Sequence, residues 1–209
     1  MIVKNDANNL IKFWQIGLSC VFLFILLTTF SCKKSATSGG IEILSSDETV
    51  EAAQIVADAN KDLTKIKILY KNNEDKREEL KKALEANDSE KVKKISDDVV
   101  YLINDGTASG KNAIEKIQKA QEMQINEDYR EYLNLKEESL TRTLEAFENY
   151  RQAARALRDN YDPKNKILRA KISQEFKTFS ENYRKIMETA RDYSNRANEL
   201  AKDAAKRKS

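Results

Sequence analysis

The chain has 209 residues, of which 34% are charged and only one is a proline; this composition favours long solvated helices over a turn-rich β fold. Lysine and arginine together number 37 against 34 aspartates and glutamates, so the basic excess expected of a nucleic-acid binder is missing. Histidine is absent and the two cysteines are Cys20 and Cys32, so residues 33–209 offer no zinc site, no thiol nucleophile, no His-assisted catalysis and no disulfide.

The first 31 residues have the pattern of a secretory signal peptide. Lys4 and Lys12 precede an apolar run over residues 16–30, which is the order of charge and apolarity that export signals show. The run is shorter than the roughly 20 residues that a membrane-spanning helix needs. We therefore predict a signal peptide over residues 1–31.

A small residue followed by a cysteine closes this apolar run. Ser31-Cys32 in that position resembles the bacterial lipobox in its relaxed, spirochaete-type form, with Thr29 and Phe30 where the family usually has Leu and Ala or Ser. The resemblance covers the first 32 residues. It implies signal cleavage between Ser31 and Cys32, acylation of Cys32, and anchoring in the cell envelope, at the outer membrane or the cell surface. The alternative is an uncleaved N-terminal anchor with an incidental thiol at Cys32.

Two further segments follow the signal peptide. Residues 32–45 are predicted to form a lipidated flexible tether, because the stretch after Cys32 is small, polar and contains two glycines. Residues 46–209 are predicted to form one helical domain, since four stretches of apolar residues with helical spacing succeed each other there.

The first two helices are predicted from the spacing of their apolar residues. The first follows Ser45-x-x-Glu48, which fits a capping box, and ends near residue 87, where Ser89 is suited to cap the second helix. The second series continues in register through Gly106 and Gly110. We therefore predict one helix with a weak middle, and a kink or break stays open because each Gly costs about 1 kcal/mol relative to Ala.

The third and fourth helices complete the domain. The third begins after Asn126, an N-cap residue, and includes Lys136 and Thr143 at core positions of its apolar series; Asp162-Pro163 ends it. The fourth series runs over residues 172–204 without interruption. Short connections make neighbouring helices antiparallel. The sequence thus predicts an all-α, up-down-up-down four-helix bundle with coiled-coil-like packing, with two long helical hairpins as the alternative.

Two motif-like stretches lack residues that their chemistry requires. The segment from Gly106 to Asn112 has one residue too few between its glycines for a P-loop, and Asn replaces the Ser or Thr that would reach Mg²⁺. Asp58-x-Asn60-x-Asp62 opens like a calcium loop, but leucines stand where such a loop needs Gly and Glu. Neither stretch predicts a site, and we expect no metal and no cofactor.

Small residues weaken the core pattern in one layer of the predicted bundle. With turns near residues 87, 124 and 162, Gly106 lies level with Thr143 and Tyr183, and Ser109 lies close by. A layer of small side chains leaves space between the helices, and protein interiors are close-packed with few voids. The layer therefore predicts a close helix approach, a kink or a small-molecule pocket.

Two other surfaces are candidates for binding. Arg151, Arg155 and Arg158 form a basic stripe, which is either a partner-binding face or a solvated face paired with nearby acids such as Glu148 and Asp159. Tyrosines recur in the core series and either fill wide layers or line a groove with aromatic walls; they are Tyr70, Tyr129, Tyr150, Tyr161, Tyr183 and Tyr193.

These observations favour a non-catalytic, membrane-anchored lipoprotein that binds another protein or a host molecule. Beyond its lipobox, the chain resembles helical-bundle lipoproteins of unknown role and carries no family-defining motif. The alternative is a solute-binding or sensing lipoprotein with a small-molecule pocket between helices near Gly106, Thr143 and Tyr183.

Overall fold

A computed structural model describes residues 48–207, apart from the side chains of residues 70, 73, 74, 77 and 205. Ser31, Cys32, Ser45 and the predicted signal peptide and tether lie outside the described residues. The described part is all-α, as predicted. It contains four helices: α1 (Thr49–Glu85), α2 (Ser89–Gln121), α3 (Glu127–Asn160) and α4 (Lys166–Arg207).

Local hydrogen bonds explain where these helices begin. Asn126 caps α3 as predicted, because its side-chain oxygen accepts from the main-chain N–H of Tyr129 at 2.9 Å. The prediction that Ser89 caps α2 is wrong. Asn87 takes a left-handed conformation (φ 54°), and the next residue, Asp88, is the cap that accepts from the N–H of Lys91 at 3.1 Å. α1 begins with Glu48 at its N-cap position.

Polar contacts show that consecutive helices run antiparallel. Lys116 of α2 binds Asp62 of α1 at 2.6 Å, and Lys76 of α1 lies 3.1 Å from Asp98 of α2. Arg158 joins α3 to Asp97 of α2 at 3.1 Å, and Arg207 joins α4 to Asp128 of α3 at 2.8 Å. The order is therefore up-down-up-down. Within the described residues, α1 and α4 make only slight contact with each other.

The apolar interior consists of two clusters at opposite ends of the bundle. All four helices contribute to the first, which we call the four-helix core; its largest fully buried members are Leu80, Leu84, Val92, Val99, Leu157 and Ile172. The second, the three-helix core, takes no buried residue from α4 among the described side chains; it contains Ala52, Val56, Ala59, Ala113, Ile117, Ala120, Ile125, Leu133 and Leu140. The second half of α4 lies along α3 instead.

Candidate functional site

A small cavity lies at the level of Gly106, with residues of all four helices around it. Its volume is about 30 Å³ and it is partly open to solvent. This space suits a few water molecules and is far below the 300 Å³ or more of a typical ligand pocket. The lining residues are Ile66, Leu69, Leu102, Ile103, Gly106, Phe147, Tyr150 and Tyr183.

The structure brings together two of the four residues predicted for this layer. Gly106 and Tyr183 line the same cavity, whereas Ser109 and Thr143 do not. Thr143 donates its hydroxyl hydrogen to the main-chain oxygen of Ser139 at 2.9 Å. Phe147, one helical turn beyond Thr143, lies against Gly106. α2 continues as one helix from Ser89 to Gln121, as predicted.

Close approach of α2 and α3 occurs at Gly110, one turn after Gly106. A Cβ atom added at Gly110 would lie 2.5 Å from a methyl carbon of Leu144, whereas one at Gly106 would lie 3.5 Å from the ring of Phe147. The first distance is a clash and the second is ordinary contact. The side chain of Leu144 therefore occupies the space that the missing side chain of Gly110 leaves.

The basic stripe on α3 is largely engaged in contacts with α2 and with acids on its own helix. Arg151 pairs with Glu148 and donates to the amide oxygen of Asn104 on α2 at 3.1 Å. Arg158 pairs with Asp159 at 2.7 Å and with Asp97 of α2 at 3.1 Å. The two acids raise the pKa of Arg158 above its usual range. Arg155 is exposed.

The two acids of the stretch that opens like a calcium loop, Asp58 and Asp62, form ion pairs with lysines. The carboxylate of Asp62 is 5% exposed and accepts hydrogen bonds from Lys116 at 2.6 Å and Lys65 at 2.8 Å. These two bonds lower the pKa of Asp62. Asp58 pairs with Lys61 at 2.6 Å on the exposed face of α1. The carboxylate of Asp62 thus joins α1 to α2 through Lys116.

A cluster that the sequence indicates only in part, through the core-series residues Tyr129 and Lys136, lies between α3 and α4. We call Tyr129, Tyr132, Lys136 and Asn198 the tyrosine–lysine cluster. The rings of Tyr129 and Tyr132 stack with centroids 5.8 Å apart and planes 13° apart. The ammonium nitrogen of Lys136 lies 5.4 Å from the centre of the Tyr132 ring and donates to the side-chain oxygen of Asn198 at 3.1 Å.

Burial shifts the pKa values within the tyrosine–lysine cluster. It lowers the pKa of Lys136 to about 8 and raises that of Tyr129 to about 12. It also raises the pKa of Tyr132. A lysine in the apolar series of the third helix was the sequence signal for this cluster. The partner Asn198 is 62 residues away, and sequence spacing alone does not identify it.

No protein-family model, curated protein or solved structure matches the chain. Residues 48–207 contain no group of three or more acidic, Cys or His side chains that would hold a metal ion. None of the four described helices has the length and apolarity needed to cross a membrane.

Proposed function

We propose that the chain is a lipoprotein anchored in the bacterial cell envelope, and that its helical bundle is a non-catalytic module that binds another molecule. The anchor is inferred from the apolar segment that ends at Ser31-Cys32. The proposal also includes export to the outer membrane or cell surface, and a protein or host molecule as partner.

The observation that best supports this proposal is where the chain enters the bundle. Glu48, directly before α1, donates its N–H to the main-chain oxygen of Gln124 at 2.8 Å. In return, its carboxylate accepts from the N–H of Gln124 at 2.7 Å. The Arg207–Asp128 pair places the end of α4 at this same pole. A lipid on Cys32 would therefore hold the bundle by one pole and expose the opposite one.

The opposite pole carries the two turns at residues 86–88 and 161–165. It lies about 50 Å away, the length of a helix of 33 residues at 1.5 Å per residue. A bundle held at one end presents its long faces and this far pole to other molecules. Such an arrangement suits binding at a distance from the membrane.

A test of the anchor uses the two cysteines as a matched pair. Cells expressing Cys32→Ser, Cys20→Ser or the unchanged chain are grown with labelled palmitate. We expect label in the unchanged chain and in Cys20→Ser, and none in Cys32→Ser, which should remain unprocessed or leave the membrane. Label in Cys32→Ser, or none in the unchanged chain, would contradict the lipid anchor.

A test of the binding role follows from the same variants. Crosslinking in intact cells should give a discrete adduct with the unchanged chain, and less of it with Cys32→Ser. If neither protein forms an adduct with any other molecule, the interaction role is wrong even where acylation is observed.

The second candidate function is a solute-binding or sensing lipoprotein with its pocket near Gly106. The observation that favours it is the cavity that Gly106 and Tyr183 share. At about 30 Å³, the cavity would have to widen to hold more than water. This function requires a small molecule whose binding raises the melting temperature of the unchanged chain and not that of Gly106→Leu, in which the cavity is filled.

A further inference from the structure

Lys136 differs from four cations that join neighbouring helices by ion pairs. Lys76, Lys116, Arg158 and Arg207 each reach an aspartate on another helix. Lys136 reaches the neutral side-chain oxygen of Asn198 instead. Arg130 and Arg151 also donate to neutral oxygens of α2, but Arg130 is exposed and Arg151 pairs with Glu148 as well. Within residues 48–207, no carboxylate lies within ion-pair distance of its ammonium group.

A partly buried cation without a counter-ion is unfavourable, because the charge loses hydration that neutral groups replace only in part. The face of the Tyr132 ring and the oxygen of Asn198 each interact with the ammonium group of Lys136. The pKa of Lys136 is nevertheless lowered to about 8. These neutral neighbours therefore do not fully replace the hydration that the ammonium group loses, and a bound anion would provide the missing negative charge.

The surroundings of Lys136 also define what else a ligand would meet. Tyr129 and Tyr132 pack against the three-helix core and remain partly exposed, so tyrosine surface is accessible beside the charge. An ammonium group has three N–H donors, and Asn198 accepts from Lys136. Donors thus remain for a carboxylate with its two oxygens.

We propose that the tyrosine–lysine cluster binds a small organic monoanion with an apolar body, an aromatic carboxylate being the simplest example. Its carboxylate pairs with Lys136 and its apolar part lies against the tyrosine rings. One cation favours a single negative charge over the two of a phosphate ester. The inference adds a small-molecule site to the binding role proposed above, and it holds whether or not Cys32 is acylated.

The test uses benzoate as the probe and the full chain purified in a neutral detergent. Binding is measured by titration calorimetry at pH 6.5. Acetate is the control without the ring and benzamide the control without the charge. Lys136→Met keeps an unbranched apolar side chain and removes the charge, and Lys185→Met does the same at an exposed position of α4.

Benzoate is expected to bind the unchanged chain and Lys185→Met equally, and Lys136→Met at least about tenfold more weakly, which is the usual effect of losing a charge-assisted bond. Acetate and benzamide should bind more weakly than benzoate. The inference is overturned if benzoate does not bind, if Lys136→Met binds it as well as the unchanged chain does, or if benzamide binds equally. Palmitate labelling of Cys32 is independent of each of these results, so the two proposals fail separately.

Discussion

The hydroxyl of Ser139 on α3 donates a 2.8 Å hydrogen bond to the main-chain oxygen of Ala190 on α4. Ser139 is buried and Ala190 has no exposed surface, so small side chains on both helices permit a close approach. This contact lies beyond the four-helix core, where α4 has α3 as its main neighbour. Together with the Lys136–Asn198 and Arg207–Asp128 contacts, it therefore fixes the position of α4 along α3 in this half of the bundle.

Removing the hydroxyl group from each of two buried serines should change the stability of the protein in different ways. Ser139→Ala breaks the bond to Ala190 and should lower the free energy of unfolding by about 0.5–1.5 kcal/mol. The hydroxyl of Ser96 is fully buried and has no hydrogen-bond partner within the described residues. Ser96→Ala should therefore leave the stability unchanged or raise it. Urea unfolding of both variants checks the pair, and equal losses would show that the Ser139 bond contributes nothing specific.

The buried carboxylate of Asp62 predicts a loss of stability in acid. Its pKa is lowered by Lys116 and Lys65. Its contribution is therefore fully present above the unfolded pKa of about 3.9 and disappears as the pH falls through the lower folded pKa. Asp62→Asn should cost about 1–2 kcal/mol at pH 7, less than a deeply buried pair, because flexible lysine side chains cover the site.

Asp58→Asn is the matched control for that measurement, since Asp58 pairs with Lys61 on an exposed face of the same helix. Exposed pairs contribute little, so its unfolding curve should match that of the unchanged chain. Unfolding is followed by circular dichroism from pH 7 to pH 2. If Asp62→Asn lost as much additional stability in acid as the unchanged chain does, the acid effect would have another source.

The helices could be predicted from the sequence because helical periodicity is a local property. The register of α2 passes through Gly106 and Gly110 unbroken, and the structure has one helix there. The start of α2 was misplaced by one residue because Asp88 and Ser89 are both good caps, and the left-handed Asn87 decides between them. Local chemistry alone does not rank two adjacent caps.

Contacts between helices depend on connections whose geometry the sequence does not specify. Counting from the turns places Thr143 level with Gly106, whereas the structure places Phe147 there, a difference of one turn that arises in the connection between α2 and α3. The four apolar series predict the same packing along their full length in a closed bundle, so the slight contact between α1 and α4 is expected only under the alternative of two long helical hairpins. Lys136 was recognised as a core position, and its partner on α4 was not.

The two glycines of α2 should respond differently to alanine. Gly106→Ala places a methyl group at ordinary contact distance from Phe147 and gains about 1 kcal/mol of helix propensity, so it should stabilise the protein. Gly110→Ala meets Leu144 at 2.5 Å, and the movement of that side chain should cancel the gain. In a Leu144→Ala background the obstacle is gone, so Gly110→Ala should then stabilise. Urea unfolding of the unchanged chain, Gly110→Ala, Leu144→Ala and the double variant gives the coupling energy between the two positions. A coupling energy of zero would contradict the close approach.

Because Lys136 is charged and partly buried, we expect its contribution to the free energy of unfolding to become more favourable as the pH rises. Its folded pKa is about 8 against an ordinary value of 10.5. Between these values the unfolded chain therefore binds more protons than the folded chain, and the free energy of unfolding increases with pH. Asn198 is neutral, whereas the raised pKa values of Tyr129 and Tyr132 act in the opposite direction near pH 10, because the unfolded phenols lose their protons before the folded ones do. Both tyrosines are present in the unchanged chain and in Lys136→Met, so their effect cancels in the difference between the two proteins.

Lys136→Met removes this charge, and it should raise the free energy of unfolding by about 1–2 kcal/mol at pH 7, a gain limited by the partial exposure of the side chain. The advantage should shrink as the pH rises from 8 to 10, because the amine of the unchanged chain becomes neutral over that range. Urea unfolding at pH 7, 8, 9 and 10 measures the difference in free energy of unfolding between Lys136→Met and the unchanged chain. The same difference for Lys185→Met gives the effect of removing an exposed lysine, and it is subtracted. A difference that stays constant across this range would show that Lys136 titrates with an ordinary pKa, and a loss of stability at pH 7 would show that its charge is already compensated in the folded protein.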